Sequence, residues 1–381
     1  MTQKKIYIWL RNISLLSICG FLCYSLFPFP PITWRLLFLG TAILVIWPNM
    51  KSLSRLEKTV MGFWGLNLIY FFVSYLSLDN PSTTQIGNIS VTLLSIPLFM
   101  TLGKKGVMTE RFYSIAVVLL LLSAMIYFES MRVLMLAKFI NRDDVTNNAS
   151  VVFLFILPFI LFLKNRYLSY LVTLICVYYL MEGAKRGNII CAIPVLFLFI
   201  LSTFRNKQVK FYEKLVFIVF LLFATSWGVE KFVENEYLQA RVEQTMEGDS
   251  SDRDIIYKNA WRTFAESENI RNVLFGYGFD GTLHHPKIKS YAHNDWLEIL
   301  VDCGALGAFF YFFIFFLLFM RIRKEKDLQK YYVLITVFAI WLLKSAFSMG
   351  FTEETMFILF IAWGYVCQMK DNESQKRLLR Y

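Results

Sequence analysis

The sequence predicts an all-α fold, a polytopic membrane helix bundle of about 12 transmembrane helices with one partly helical extracytoplasmic loop. Of the 381 residues, 57% are hydrophobic and 18% are aromatic, whereas soluble domains contain roughly 45–50% apolar residues. The mean hydropathy is +0.50. The apolar residues form runs close to the ~18–20 residues that a bilayer-spanning helix needs. The basic residues concentrate in alternate short connections, as is typical of multi-pass proteins.

Twelve apolar runs follow one another along the chain. They lie near 7–28, 33–48, 60–78, 86–103, 112–130, 150–163, 167–182, 188–204, 214–231, 296–320, 331–348 and 355–369. A helix is expected for each run, because a helix satisfies its own backbone hydrogen bonds in lipid. No small-residue cleavage site follows the first run, so we expect it to serve as a signal anchor.

The short connections on one side of the predicted bundle carry 23 of the 39 lysine and arginine residues. Those on the other side carry six, namely Arg35, Arg132, Lys138, Arg142, Lys185 and Arg186. The positive-inside rule therefore predicts that both termini are cytoplasmic. This distribution accounts for the formal net charge of +11, and nucleic acid is not expected as a partner.

We expect one integrated membrane domain in three segments. Residues 1–231 hold nine helices, residues 232–295 form a large extracytoplasmic loop, and residues 296–381 hold three helices and a cytoplasmic tail. The loop contains all three histidines of the chain. A connection of this length is more often functional than a plain linker.

His293 lies near the end of the loop, shortly before the tenth apolar run. Histidine titrates near neutral pH, so it can act as a general base at the membrane surface. A structural alternative is that Asp295 caps the following helix and Glu298 closes a capping box. Asp295, Glu298 and Asp302 would share one helix face. Ionisable groups at depth favour a functional site, and the alternative is that they line a wet cavity or pair with basic residues.

Several basic residues lie where an anion could bind. Lys185 and Arg186 are on the side where positive charge is rare, which suggests a phosphate ligand. Pairing with an acidic neighbour is the alternative. Arg253 opens a predicted loop helix, with Ser250 or Ser251 as its N-cap, and can meet an anion or pair with a nearby aspartate. Lys344, inside the eleventh run, is expected to snorkel or to pair with an acid. No nucleotide-binding or metal-binding motif is present, so neither a cofactor nor a metal is expected.

The order of these motifs resembles the O-antigen polymerase/O-antigen ligase superfamily of bacterial membrane glycosyltransferases. The motifs are Arg186-Gly187, Asp252-Arg253, Gly276-Tyr277-Gly278, His293-Asn294, and the closely spaced glycines Gly304 and Gly307. They cover roughly residues 183–310. Their order, spacing and sidedness together are more specific than any single motif.

This resemblance implies a metal-independent enzyme whose donor is an oligosaccharide linked through pyrophosphate to undecaprenol. An acceptor hydroxyl attacks the anomeric carbon, and the lipid pyrophosphate leaves. Carried over to this chain, the catalytic residues are His293 as base and Arg253 and Arg186 as cations that neutralise the pyrophosphate. The substrate-binding candidates are Lys185, Asn294, Glu298 and Tyr277. Asn294 either orients the site or simply caps the helix.

The resemblance also implies a bacterial cytoplasmic (inner) membrane location, with the large loop periplasmic or extracellular. The favoured function is a polymerase that joins repeat units into O-antigen, capsule or exopolysaccharide, because the loop is short for a ligase. The alternatives are a ligase that transfers glycan to lipid A core or protein, and a lipid-linked sugar transporter. The lipid bilayer is a partner, and a flippase and a chain-length regulator are further expected partners.

Overall fold

The computed structural model describes residues 2–77, 81–138, 146–205, 209–234, 236–237, 239–240, 243 and 253–378, with side chains to residue 368. These residues form helices and turns and no β-strand, so the all-α prediction is confirmed. The helices are α1 Gln3–Leu22, α2 Pro31–Ile46, α3 Arg55–Leu76, α4 Thr83–Lys104, α5 Glu110–Lys138, α6 Val151–Ile156, α7 Arg166–Glu182, α8 Arg186–Arg205, α9 Phe211–Glu234, α10 Arg253–Ala265, α11 Ile270–Phe275, α12 Gly281–His284, α13 Asp295–Lys324, α14 Leu328–Phe347 and α15 Phe357–Leu378.

Each of the twelve predicted runs coincides with one of the helices α1–α9 and α13–α15. Within the described ranges, nine helices are long and apolar enough to cross a membrane. The other three are α6, which 3-10 turns extend to Asn148–Leu161, the 17-residue α7, and the apolar start of α15. The chain is therefore a multi-pass membrane protein. Helix α4 lies in its centre, with 89% of its apolar window buried, whereas α9 is peripheral, with 6% buried.

One end of the bundle, called here the loop end, holds the connections α1–α2, α3–α4, α5–α6, α7–α8, α9–α13 and α14–α15. Polar contacts join these connections to one another. The Arg35 guanidinium on α2 makes two hydrogen bonds to the Glu354 carboxylate, at 2.5 and 2.8 Å. The Ser82 N–H, just before α4, donates to Asp280 Oδ2 at 2.6 Å. These contacts join the start of α2 to the α14–α15 connection, and the α3–α4 connection to the α9–α13 connection.

The opposite end, called the basic end, has its own ion pairs. Lys104, in the last turn of α4, pairs with the fully buried Glu57 of α3. Arg166 Nη1, at the start of α7, lies 3.2 Å from Glu213 Oε2 of α9. Both ends are therefore held by acid–base pairs, and the loop end differs in carrying the long connection with helices α10–α12.

Helix α13 is broken near its start at Gly304, whose φ of 62° and ψ of −163° are non-helical. The break releases backbone carbonyls from the helical hydrogen-bond pattern. A loop turn satisfies them, since the Tyr277 N–H donates to Val301 O at 2.8 Å and the Gly278 N–H donates to Asp302 O at 3.1 Å. The glycine turn, Gly276-Tyr277-Gly278, and the broken helix therefore form one joint.

Alanine at position 304 is expected to disrupt this joint. A Cβ there would lie 2.5 Å from the Gly276 nitrogen, and the backbone conformation alone costs about 1–3 kcal/mol for a non-glycine residue. We expect Gly304→Ala to lower the melting temperature of the purified protein markedly. Gly65→Ala in α3 is the control, because its Cβ would meet nothing within 4 Å and alanine favours a helix. Equal stability of the two variants would contradict the proposed joint.

Candidate active site

A cavity with a volume of about 380 Å³ opens at the loop end, between the α7–α8 connection, the start of α10 and the end of α14. Its basic lining residues are Lys185, Arg186, Arg253 and Lys344. The acidic lining residue is Asp254. Three distant parts of the sequence thus bring four cations into one space, which we call the cationic cavity. Such an arrangement is suited to an anion with several charged oxygens.

Lys185 and Arg186 reach the cavity through a tight connection. Ala184 adopts a left-handed conformation with φ 46°, and the Asn147 N–H donates to Gly183 O at 2.9 Å. Burial, followed by the nearby charge of Lys344, lowers the pKa of Lys185 to about 8. Lys185 therefore stays mostly protonated at neutral pH. A bound anion would stabilise its charged form against the effects of burial and of the neighbouring cations.

Arg253 is the first residue of α10, so that helix points its positive N-terminal end at the cavity. Its Nη1 also donates to Phe347 O, the carbonyl at the end of α14, at 2.9 Å. Arg253 therefore joins the loop to the membrane helices as well as facing the cavity. The expected N-cap, Ser250 or Ser251, and Asp252 lie outside the described residues.

Lys344 is the cation to which the sequence assigned no role. It is 1% exposed, and its Nζ makes a hydrogen bond to Ser348 Oγ at 3.3 Å. Among the residues that the structure describes, no carboxylate lies within ion-pair distance of it, so the expected pairing with an acid is not seen. Asp295 attracts Lys344 from beyond ion-pair distance. A buried lysine without a close counter-ion is costly, and a bound anion would stabilise it. Its isolation within an apolar run was the available sequence signal.

His293 lies at the edge of the cationic cavity. The hydroxyl of Tyr257, a cavity-lining residue, donates to His293 O at 3.2 Å. The His293 backbone is left-handed, with φ 52°, and such strain clusters at functional sites. Burial lowers the pKa of His293, and the charges of Arg253 and Lys185 lower it further. The imidazole is therefore neutral at pH 7, which is the form that a general base requires.

The structural alternative in which Asp295 and Glu298 form a capping box is wrong, whereas the alternative that Asn294 caps α13 is confirmed. Asn294, not Asp295, is the N-cap, and its Oδ1 accepts from the N–H groups of Trp296 at 3.0 Å and Leu297 at 3.1 Å. Its Nδ2 donates to Ala346 O of α14 at 2.8 Å. Both the oxygen and the nitrogen of the Asn294 amide are therefore hydrogen-bonded within the protein. These bonds hold the backbone next to His293 against the end of α14.

Asp295 is fully buried and acts as an acceptor for the α14–α15 connection. Its carboxylate accepts from the Tyr311 hydroxyl at 2.5 Å, from Gly350 N–H at 2.7 Å and from Phe351 N–H at 3.1 Å. Short-range capping rules misplaced this side chain, because its partners are 16 or more residues away. The contact fixes the loop after α14 against the start of α13.

Glu298 and Asp302 also bind backbone and hydroxyl groups of the loop. Glu298 accepts from the Thr282 hydroxyl at 2.8 Å and from Ala292 N–H at 2.6 Å. Asp302 accepts from Thr282 N–H at 2.9 Å. Within the described ranges neither acid pairs with a basic side chain. Because Glu298 is 0% exposed, its position suits it to hold the segment before His293 rather than to touch a ligand.

Tyr277 lies outside the lining of the cationic cavity. Its hydroxyl contacts Thr263 O at 3.2 Å and Ser267 Oγ at 3.3 Å. Its ring packs edge-on against His285, with centroids 4.9 Å apart. Tyr277 therefore ties the glycine turn to the end of α10. In the part of the chain that the structure describes, no three His, Cys, Asp or Glu residues are grouped so that they could hold a metal ion.

Comparisons with known proteins add one finding to this geometry. Residues 146–312 match the family model described as O-antigen ligase. A comparison with curated proteins gives no match. The resemblance seen in the motifs is thus confirmed over the segment that carries Arg186, Arg253 and His293. This family supports an O-antigen ligase or polymerase type of function and a glycosyltransferase-like enzyme. Lys344 lies outside the matched segment.

Proposed function

We propose, from the place of residues 146–312 in the O-antigen ligase family, that this protein is a polymerase of undecaprenyl-pyrophosphate-linked oligosaccharide repeat units. The observation that carries the proposal is the cationic cavity with His293 at its edge. The cavity suits the pyrophosphate, and the neutral imidazole suits the acceptor hydroxyl. On the distribution of basic residues, the loop end faces the periplasm or the cell exterior.

The reaction follows from this arrangement. His293 takes the proton of an acceptor sugar hydroxyl, and that oxygen attacks the anomeric carbon of the donor. The bond from the anomeric carbon to the phosphate oxygen breaks, and undecaprenyl pyrophosphate leaves with the electron pair. Arg186, Arg253 and Lys344 stabilise the charge that develops on the leaving oxygen. Lys185 adds a fourth cation, and its pKa rises towards its ordinary value as the anion arrives.

The other candidate residues have supporting roles in this proposal. Asn294 and Glu298 are positioning residues, since their side chains hold the backbone on either side of His293. Tyr277 positions α10, which carries Arg253. The reaction as proposed needs no metal, because cations of the chain neutralise the pyrophosphate.

A ligase is the second candidate, and the description of the matching family favours it. The two functions share the donor and the bond that breaks, and they differ in the acceptor. The polymerase is preferred because the connection between α9 and α13, although the longest of this chain, is short for a ligase, and its described helices α10–α12 pack on α13. A ligase must also admit a lipid A core or a protein acceptor.

The proposal is tested with a strain that lacks this protein and a complemented control. We expect the gel profile of surface glycan to lose its ladder and to keep single-repeat glycan on the acceptor. An acceptor without glycan, together with long polymer still attached to undecaprenyl pyrophosphate, would assign the ligase function instead. Repeat units that accumulate on the cytoplasmic side would indicate a transporter and contradict the proposed base.

A further inference from the structure

Helix α10 carries two apolar stripes, although a helix that packs on one side needs only one. The first stripe is Ile256, Ala260 and Thr263, which face the protein, with Ala260 packed against Ile288 and Val301. The second stripe is Tyr257, Trp261 and Phe264. Its members are also four and three residues apart, so they follow one another along one face.

The second stripe continues the wall of the cationic cavity. At 100° per residue, Trp261 lies between Tyr257 and Asp254 around the helix axis, and both of these residues line the cavity. The Trp261 side chain is 54% exposed. Its ring lies 6.1 Å from that of Phe264, centroid to centroid. We call Trp261 and Phe264 the aromatic track.

Positions along α10 match the order of groups in the proposed donor. Arg253, at the first turn, faces the cavity that suits the pyrophosphate. Tyr257, one turn later, contacts His293, where the anomeric carbon would react. Trp261 comes one turn further, about 12 Å from Arg253 along the axis at ~1.5 Å per residue. The next group of the donor beyond the anomeric carbon is its saccharide.

We infer that the aromatic track is the binding site for the saccharide of the lipid-linked donor, with Trp261 as its stacking platform. A pyranose ring has a face of C–H groups that packs on an indole, while its hydroxyls stay in water. This assignment rests on the proposed function for the position of the pyrophosphate. Its binding partner is a carbohydrate, as distinct from the lipid surface that an exposed tryptophan can also contact.

The test compares Trp261→Ala with Trp261→Phe and Ile255→Ala in the full-length protein in nanodiscs. Ile255 is the matched control, because it is 55% exposed on a different face of the same helix. Two probes are used, the lipid-linked repeat unit as substrate and sugar-free undecaprenyl pyrophosphate as competitor. We expect Trp261→Ala to raise the KM for the repeat unit roughly three- to tenfold, the size of one aromatic contact. The inhibition constant of the sugar-free lipid should not change, Trp261→Phe should recover most of the affinity, and Ile255→Ala should behave as the wild type.

An unchanged KM in Trp261→Ala would overturn the inference, and so would an equal weakening of the sugar-free lipid, which would indicate a membrane contact or a disturbed fold. Binding of the water-soluble oligosaccharide released from the lipid by mild acid is measured separately by saturation-transfer NMR. If the wild type transfers no glycan, the proposed function fails. In that case, loss of this oligosaccharide signal in Trp261→Ala would support the aromatic track as a saccharide site, and an unchanged signal would overturn it.

Discussion

Replacing His293 with alanine is expected to reduce glycan transfer by roughly 10²–10⁴-fold, the contribution of a positioned general base. The folded amount in the membrane should not change, because the side chain is partly exposed at the end of a loop and its backbone carbonyl, which alanine retains, makes the contact with Tyr257. The measurement is the turnover of lipid-linked repeat unit by purified protein. His284→Ala is the control, since His284 is an exposed histidine of the same loop that does not line the cavity.

The pH profile distinguishes a base from a residue that only holds the site together. Burial and two neighbouring cations lower the pKa of His293 from its ordinary value of 6.5. A base works in its neutral form, so activity should be lost as the pH falls through this lowered pKa, below 6.5. Lys185→Gln removes one of those charges, so the acid limb of its residual activity should move to higher pH. A limb that stays in place, or full activity of His293→Ala, would contradict the assignment.

Replacing Lys344 with methionine is expected to lower transfer roughly 10²–10³-fold, as for loss of one group that stabilises the developing charge. The melting temperature of the variant should rise or stay unchanged. Lys344 is buried without a carboxylate partner among the described residues, and exchange of a buried charge for an apolar side chain of similar length is often neutral or stabilising. Turnover and melting temperature of the same preparation give both quantities.

Lys330→Met is the matched control, because Lys330 is a 2%-exposed lysine at the other end of the same helix. It lies 14 residues earlier, about 21 Å away along the helix, and it has interactions of its own. We expect this variant to lose stability and to keep its turnover per folded molecule. If Lys344→Met loses activity and stability together, the lysine is structural and the cavity needs another explanation.

Sequence reasoning predicted the helices well, because each apolar run is a local signal of length and composition. It also selected Lys185, Arg186 and Arg253, which converge on one cavity although the chain separates them by up to 68 positions. Two signals made this possible. Positive charge on the side where it is rare marked the first two, and the resemblance to a family marked the third.

Other features depend on contacts that no local pattern contains. Lys344 belongs to the site only because the end of α14 meets the α7–α8 connection. Asp295 has the spacing of a cap, yet its carboxylate oxygens accept from Tyr311, 16 residues further along α13, and from Gly350 in the α14–α15 connection. The break at Gly304 depends on a turn some 26 residues earlier that fills it. These arrangements are set by tertiary packing, which overrides short-range preferences.

The joint between the glycine turn and α13 has a consequence for protein engineering. A chimera that exchanges the large loop between two relatives, to transplant sugar preference, would ordinarily be cut where the membrane helix starts, near residue 295. Such a cut separates the N–H groups of Tyr277 and Gly278 from the carbonyls of Val301 and Asp302 to which they donate. The exchanged segment should instead run from before α10 to beyond Gly307, so that the loop and the broken part of α13 come from the same relative.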